Sequence, residues 1–309
     1  MSSRVSAVDL CGIPLRGPVL NGSGTFDALA AHAAFGDAVL EAFPFDAFVT
    51  KTVTLEPRAG NPPPRLWEVP AGLVNSIGLP NRGLEGFLVH DLPRLAELPV
   101  PLGVSVMGFS RDELAELVGR IGARPEVAFL ELNVSCPNVE TGLVMGAEPA
   151  ETARAVERVR PLTDKPLLVK LTPNATDPSA VAVAAEDAGA DGLSLINTLR
   201  GMALRGGHPA LGGGAGGLSG PAVRAVALAQ VWAVARAVAL PVVGMGGVTC
   251  GRDAAALLDA GATCVAVGTE SFRDPAAGAR VAAELHGLGL GSGSRVSEST
   301  CKVTLTRGT

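Results

Sequence analysis

The chain has 309 residues, 47% hydrophobic and 18% charged, a balance that fits a folded globular protein and excludes a disordered one. A net charge of −5, 4% aromatic residues and no tyrosine leave neither a basic face nor a stacking platform, which excludes nucleic acid or anionic lipid as the main partner. The most apolar stretch, residues 222–243, is broken by Arg224, Gln230 and Arg236, and the opening MSSRVSAVDL lacks a signal peptide's apolar run, so no membrane span or leader is expected.

Residues 5–15 read as a small hairpin. Short apolar runs then recur, punctuated by Gly, Asn or Lys. They predict strands at 18–22, 47–52, 101–107, 128–135, 166–172, 191–197, 241–246 and 263–268. Helical periods fall between them at 111–122, 150–160, 178–188, 222–239 and 252–260. Eight strand–helix units in a chain of this length predict a closed (β/α)8 TIM barrel, an α/β fold. Residues 54–99 and 199–219 are long Pro- or Gly-rich loops at the carboxyl ends of the strands, where barrel function resides. The chain therefore reads as one catalytic domain over 1–290 and a polar, mobile tail over 291–309.

Alternation along the strands places Glu131, Asn133 and Ser135 on the barrel axis, with Leu130, Leu132 and Val134 facing the helices. The same parity turns Lys51, Ser105, Lys170 and Asn197 inward. An inward lysine needs an anion or dipoles. It forms an internal salt bridge, for which Glu131 is the candidate partner, or it holds an anionic substrate or an electron-rich cofactor ring. Gly246–Gly247 and Gly268–Thr269 end the last two strands, where such barrels bind phosphate through backbone N–H groups. Ser219–Gly220–Pro221 reads as a helix start with Ser219 as N-cap. A G-x-G-x-x-G at Gly212, Gly214 and Gly217 follows no strand directly and is not a dinucleotide fingerprint.

The five cysteines, Cys11, Cys136, Cys250, Cys264 and Cys301, are odd in number and widely spaced. They predict neither disulfides nor a metal or iron–sulfur site, and they suit a reducing cytoplasm. Cys136 alone sits at the barrel mouth, beside Asn133 and across from the lysines. It can act as nucleophile or general base. A base is the better role, because His32, His90, His208 and His286 lie in none of the strand-end motifs. A Schiff-base lyase using Lys170 is the reading from a different reaction class.

The segments TKTVTLEPRAGNPPPRL (50–66), NSIGLPN (75–81), LELNVSCPN (130–138), VKLTPN (169–174), INTLRGM (196–202), GGLSGPA (216–222), GMGGV (244–248) and VGTESF (267–272) together resemble class 1 dihydroorotate dehydrogenases, most of all the catalytic subunit of the NAD-linked branch. The resemblance covers about residues 5–285. It implies FMN as cofactor and oxidation of (S)-dihydroorotate to orotate in pyrimidine biosynthesis, with Cys136 as base at C5 and hydride passing from C6 to FMN. Carried over residue by residue, it implies orotate contacts at Lys51, Asn75, Ser76, Ile77, Gly78, Leu79, Asn133, Asn197 and Thr198. For FMN it implies Ser23, Lys51, Thr52, Ser105, Asn133, Lys170, Ile196, Gly220, Gly246, Gly247, Gly268 and Thr269, with Lys170 also catalytic. Ser105 stands where the branch usually has Asn. A homodimeric core and a partner subunit carrying FAD and an iron–sulfur cluster are implied as well. A fumarate-linked enzyme and a dihydropyrimidine dehydrogenase-like enzyme are the neighbouring readings.

Overall fold

The computed structural model describes residues 7–135 and 145–289; Cys136, Cys301 and the tail 291–309 lie outside them. Eight strands form one parallel sheet: Val19–Asn21, Phe48–Val49, Leu102–Val106, Phe129–Asn133, Leu167–Lys170, Gly192–Leu195, Val242–Met245 and Cys264–Val267. Each lies inside an expected run. The first pairs with the eighth, and the order then descends to the second. A parallel bridge between Leu20 and Ala47 joins first to second, so the sheet closes into a (β/α)8 barrel.

The seam between first and second strands is short, and a side chain completes it. Asn21 is buried, donates through Nδ2 to the Val49 carbonyl at 2.8 Å, and accepts from the Val49 N–H at 2.8 Å. One amide thus replaces a missing ladder rung.

The helices start where their caps dictate. Ser110 accepts from the Glu113 N–H at 3.1 Å and opens Arg111–Gly122. Asp177 accepts from Ser179 and Ala180 and opens Pro178–Asp187, with Pro178 in its first turn. Pro149–Val159, Arg224–Ala237, Gly251–Asp259 and Ala277–Gly287 complete most of the outer ring. Outward strand residues such as Val104, Leu130, Leu132, Val169 and Val265 pack against these helices. None of the described helices is long and apolar enough to cross a membrane.

The opposite parity fills the barrel. Leu20, Val49, Phe129, Leu168, Val243, Cys264 and Ala266 form an inner cluster with Leu10 and Leu15. The last two belong to the antiparallel hairpin Val8–Leu10 and Ile13–Leu15, which covers the amino-terminal end of the strands as a floor. Cys11 at its turn donates Sγ–H to the Asp191 carbonyl at 3.1 Å. Burial, reinforced by nearby carboxylates, pushes the Cys11 and Cys264 thiols up to about 12, so both are structural sulfurs.

The two long segments differ from the expected loops. Parts of them pair into a four-stranded antiparallel sheet, ordered Leu199–Gly201, Gly216–Ser219, Gly72–Asn75, Leu66–Val69. Gly217 faces Asn75 and Leu218 faces Val74 across it. A Cβ on Gly216 would lie 2.1 Å from the Asn75 carbonyl oxygen, and one on Gly217 2.0 Å from Thr198 Oγ1. The glycines are there for close packing, which erases the alternation that would announce a strand. Close packing also accounts for Gly212 and Gly217 of the G-x-G-x-x-G, while Gly214 sits in open space at φ +78°. Ser219 does not cap a helix: it ends a strand of this sheet, and a 3-10 turn, Pro221–Val223, precedes the helix at Arg224.

Gly103 and Phe129 are register partners on the third and fourth strands, and a Cβ on Gly103 would sit 2.2 Å from Phe129 Cζ. Gly103→Ala should therefore overpack the barrel floor and lower stability by about 1–3 kcal/mol in urea unfolding, with Phe129→Leu restoring part of the loss. Unchanged unfolding in Gly103→Ala would contradict this packing.

Candidate active site

The carboxyl ends of the strands surround a cavity of about 470 Å³. Strand parity delivers Lys51, Asn133, Lys170 and Asn197 to its wall, and the second sheet closes over it with Asn75, Ile77, Gly78 and Leu79. Thr198 joins them, as do Ser23, Thr52 and Ile196. Two expected contacts do not reach the cavity. Ser76 accepts from Asn61 Nδ2 at 2.8 Å on the far side of its strand. Ser105 is fully buried behind Thr52, with the two hydroxyls 3.0 Å apart. Cys136 is outside the described residues; Ser135, its immediate neighbour, lines the cavity. None of the four histidines does.

The polar groups are held before any ligand arrives. Asn133 Nδ2 donates to Thr52 Oγ1 at 3.3 Å. Asn197 Nδ2 donates to Ser135 Oγ at 2.8 Å, and its Oδ1 accepts from the Thr198 N–H at 2.8 Å. Asn75 Nδ2 donates to the Gly217 carbonyl at 3.1 Å, tying one insertion to the other. Such preset orientation lowers the cost of binding a polar ligand.

The two lysines differ. Lys170 Nζ lies 3.6 Å from Glu131 Oε1, so the internal ion pair weighed for one lysine exists, while the same residue also borders the cavity. Lys51 has no hydrogen bond or ion pair among the described residues. Burial holds its amine below the ordinary lysine range; Asp27 opposes that shift and Arg65 reinforces it.

At the other end of the cavity, three turns converge at Gly220, Gly246–Gly247 and Gly268–Thr269. Gly247 has φ +77°, and a Cβ there would lie 2.7 Å from Arg224 Cβ and 3.1 Å from the Gly220 carbonyl oxygen. Only glycine fits. Among the described residues, no acceptor takes the N–H of Gly247, Gly268 or Thr269. Such a cluster of free N–H groups suits an anion.

Sequence reasoning missed the supports of these turns. Asp253 pairs with Arg224 and accepts from Thr249 N–H at 2.9 Å and Oγ1 at 2.6 Å, pinning the loop after the seventh strand. Thr269 Oγ1 donates to Ser219 Oγ at 2.8 Å. At the rim, Arg273 pairs with Glu68 at 2.9 Å beside the exposed Phe272. Most of these partners are far apart along the chain, so no local pattern gives the contacts and only the fold reveals them.

The family model described as dihydroorotate dehydrogenase matches residues 5–288. The chain belongs to the dihydroorotate dehydrogenase family. It is 50% identical to the catalytic subunit of dihydroorotate dehydrogenase B (NAD(+)) of Desulforudis audaxviator, over 91% of both chains. It is 49% identical to the protein of that name in Pelobacter propionicus, over 89% of this chain and 90% of the relative. For that of Geobacter metallireducens the identity is 48%, over 90% and 91%.

The half-buried Lys51, unpaired among the described residues, makes a direct prediction. Its folded-state value lies below its unfolded one, so its charge opposes folding at low pH, and that cost fades as pH rises towards the ordinary lysine value. Competitive acylation of the four lysines, read by mass spectrometry, should place the Lys51 profile at lower pH than that of a free lysine side chain. A profile at the ordinary position would contradict the desolvation of this amine.

Proposed function

We propose that this chain is the FMN-binding catalytic subunit of an NAD-linked dihydroorotate dehydrogenase, acting in the cytoplasm with a homodimeric core. The observation that carries the reading is the make-up of one cavity: amides and two lysines at one end, glycine turns with free N–H groups at the other. The donor set fits a flavin mononucleotide. Gly220, Gly246, Gly247, Gly268 and Thr269 would hold its phosphate through backbone N–H groups, and Lys170, with Ser23, Thr52 and Asn133, would hold the ring. When bound, the flavin supplies a hydride acceptor.

The chain's own residues do the rest. Asn75, Asn133, Asn197 and Thr198, with the backbone of 77–79, offer donors and acceptors to the imide and carboxylate of dihydroorotate. Lys51 brings the positive charge that a carboxylate requires. Cys136, following the cavity residue Ser135, takes the proton from C5. The substrate loses that proton and the hydride at C6, so the C5–C6 bond becomes double and orotate forms. The second sheet covers the cavity and limits access of bulk water.

The electrons leave through a partner subunit carrying FAD and an iron–sulfur cluster. The widely spaced cysteines offer no four-ligand set, and Gly212 and Gly217 pack against neighbouring chain instead of framing a nucleotide. The relatives named above are catalytic subunits of a B-type, NAD(+) enzyme. Steady-state turnover of the isolated, FMN-loaded chain with dihydroorotate tests this. Reduction of NAD should be slow, and fumarate should not replace it. Fast NAD reduction without a second protein would remove the partner, and fast fumarate reduction would move the chain to the fumarate-linked branch.

A further inference from the structure

Glu131 was assigned no contact with cofactor or substrate, yet it is one of the few buried carboxylates in the molecule. It sits on the fourth strand, 2% exposed, one layer below the cavity floor formed by Asn133. Its Oε2 accepts from Ser194 Oγ of the sixth strand at 2.8 Å. Its Oε1 has no hydrogen-bond partner and lies 3.6 Å from Lys170 Nζ of the fifth strand between them. The ladder places Lys170 level with both Asn133 and Ser194. Three adjacent strands thus hold a buried file of Ser194, Glu131 and Lys170, and only Lys170 borders the cavity.

A lysine stem has four flexible carbons, and its ammonium has three donors with no fixed direction. The carboxylate below supplies the opposite charge that a buried ammonium needs. At 3.6 Å the contact is ionic and is not a hydrogen bond, so the ammonium hydrogens are not consumed by it. They remain free to donate upward. Ser194, by fixing one carboxylate oxygen, orients the other towards Lys170.

We propose that Glu131, braced by Ser194, is a positioning residue that aims the Lys170 ammonium into the cavity and, through it, sets the reduction potential of the bound flavin. This rests on the reading of Lys170 as a flavin contact. Glu131 works by holding a cation against a ring that gains negative charge on reduction.

The test is the midpoint potential of FMN-loaded Lys170→Ala, Glu131→Gln, Ser194→Ala and the double variant Glu131→Gln/Lys170→Ala, together with FMN affinity and thermal stability. Lys170→Ala should lower the potential. Glu131→Gln should lower it in the same direction by a smaller amount, and Ser194→Ala by less again. The double variant should show no shift beyond that of Lys170→Ala, because Glu131 acts through the lysine. Ser194→Ala keeps the carboxylate and gives a milder reading should Glu131→Gln fold poorly. A rise in potential would show that Glu131 acts by its own field, and lost stability with an unchanged potential would make it structural; either overturns the proposal. An additive shift in the double variant does the same. An unchanged potential in Lys170→Ala overturns both the proposal and the reading it rests on, whereas a shift there with none in Glu131→Gln overturns the role of Glu131 alone.

Discussion

The reciprocal hydrogen bonds between Asn21 and the Val49 backbone carry the closure of the barrel where the ladder itself is thinnest. Closure matters because the cavity residues borne by the barrel strands are placed by parity, and parity has meaning only while the register around the ring is fixed. Once the ring is closed, Phe129 and the hairpin leucines fill the floor, Glu131 lies buried beneath the cavity, and Asn133, Lys170 and Lys51 reach its wall. A slip at the seam would take the buried amide away from the Val49 N–H and carbonyl and leave both unpaired, which penalises it.

The mouth combines two kinds of rigidity. Its polar wall stands on the strands and is cross-linked by amide and hydroxyl contacts, Asn133 to Thr52 and Asn197 to Ser135. Its glycine turns have no side chains to hold them, so the neighbours do it: Asp253 joins Arg224 to Thr249, and Thr269 bonds Ser219. The second sheet then ties the two long insertions together over the opening through Asn75 and Gly217. Binding chemistry and access are thereby set by different parts of the chain.

Much of this was legible in the residues. The eight strands announce themselves by apolar runs with polar ends, and alternation along 128–135 predicts which side chains face the axis. The second sheet was not legible. Its strands are three or four residues long, some of them glycine-rich as in Gly216–Ser219, and the hairpin Leu66–Val69 and Gly72–Asn75 finds its partner strand far away in the chain. Packing that demands glycine looks like a loop when read locally. The directions of Ser76 and Ser105 were hidden for a related reason: motif position says that a residue is near the site, not which way its side chain turns. The Gly103–Phe129 fit joins neighbouring strands and the Glu131–Ser194 contact reaches across one strand, and no local pattern encodes either.

The central claim is that one cavity brings a flavin, dihydroorotate and Cys136 together. Anaerobic addition of dihydroorotate to the purified, FMN-loaded protein tests it most directly, with the visible flavin absorbance followed in stopped flow. The wild-type protein should bleach rapidly, and Cys136→Ala should bleach about 10²–10⁴-fold more slowly with FMN still bound. A flavin that stays oxidised in the wild-type protein, or a Cys136→Ala variant that bleaches at the wild-type rate, would contradict it.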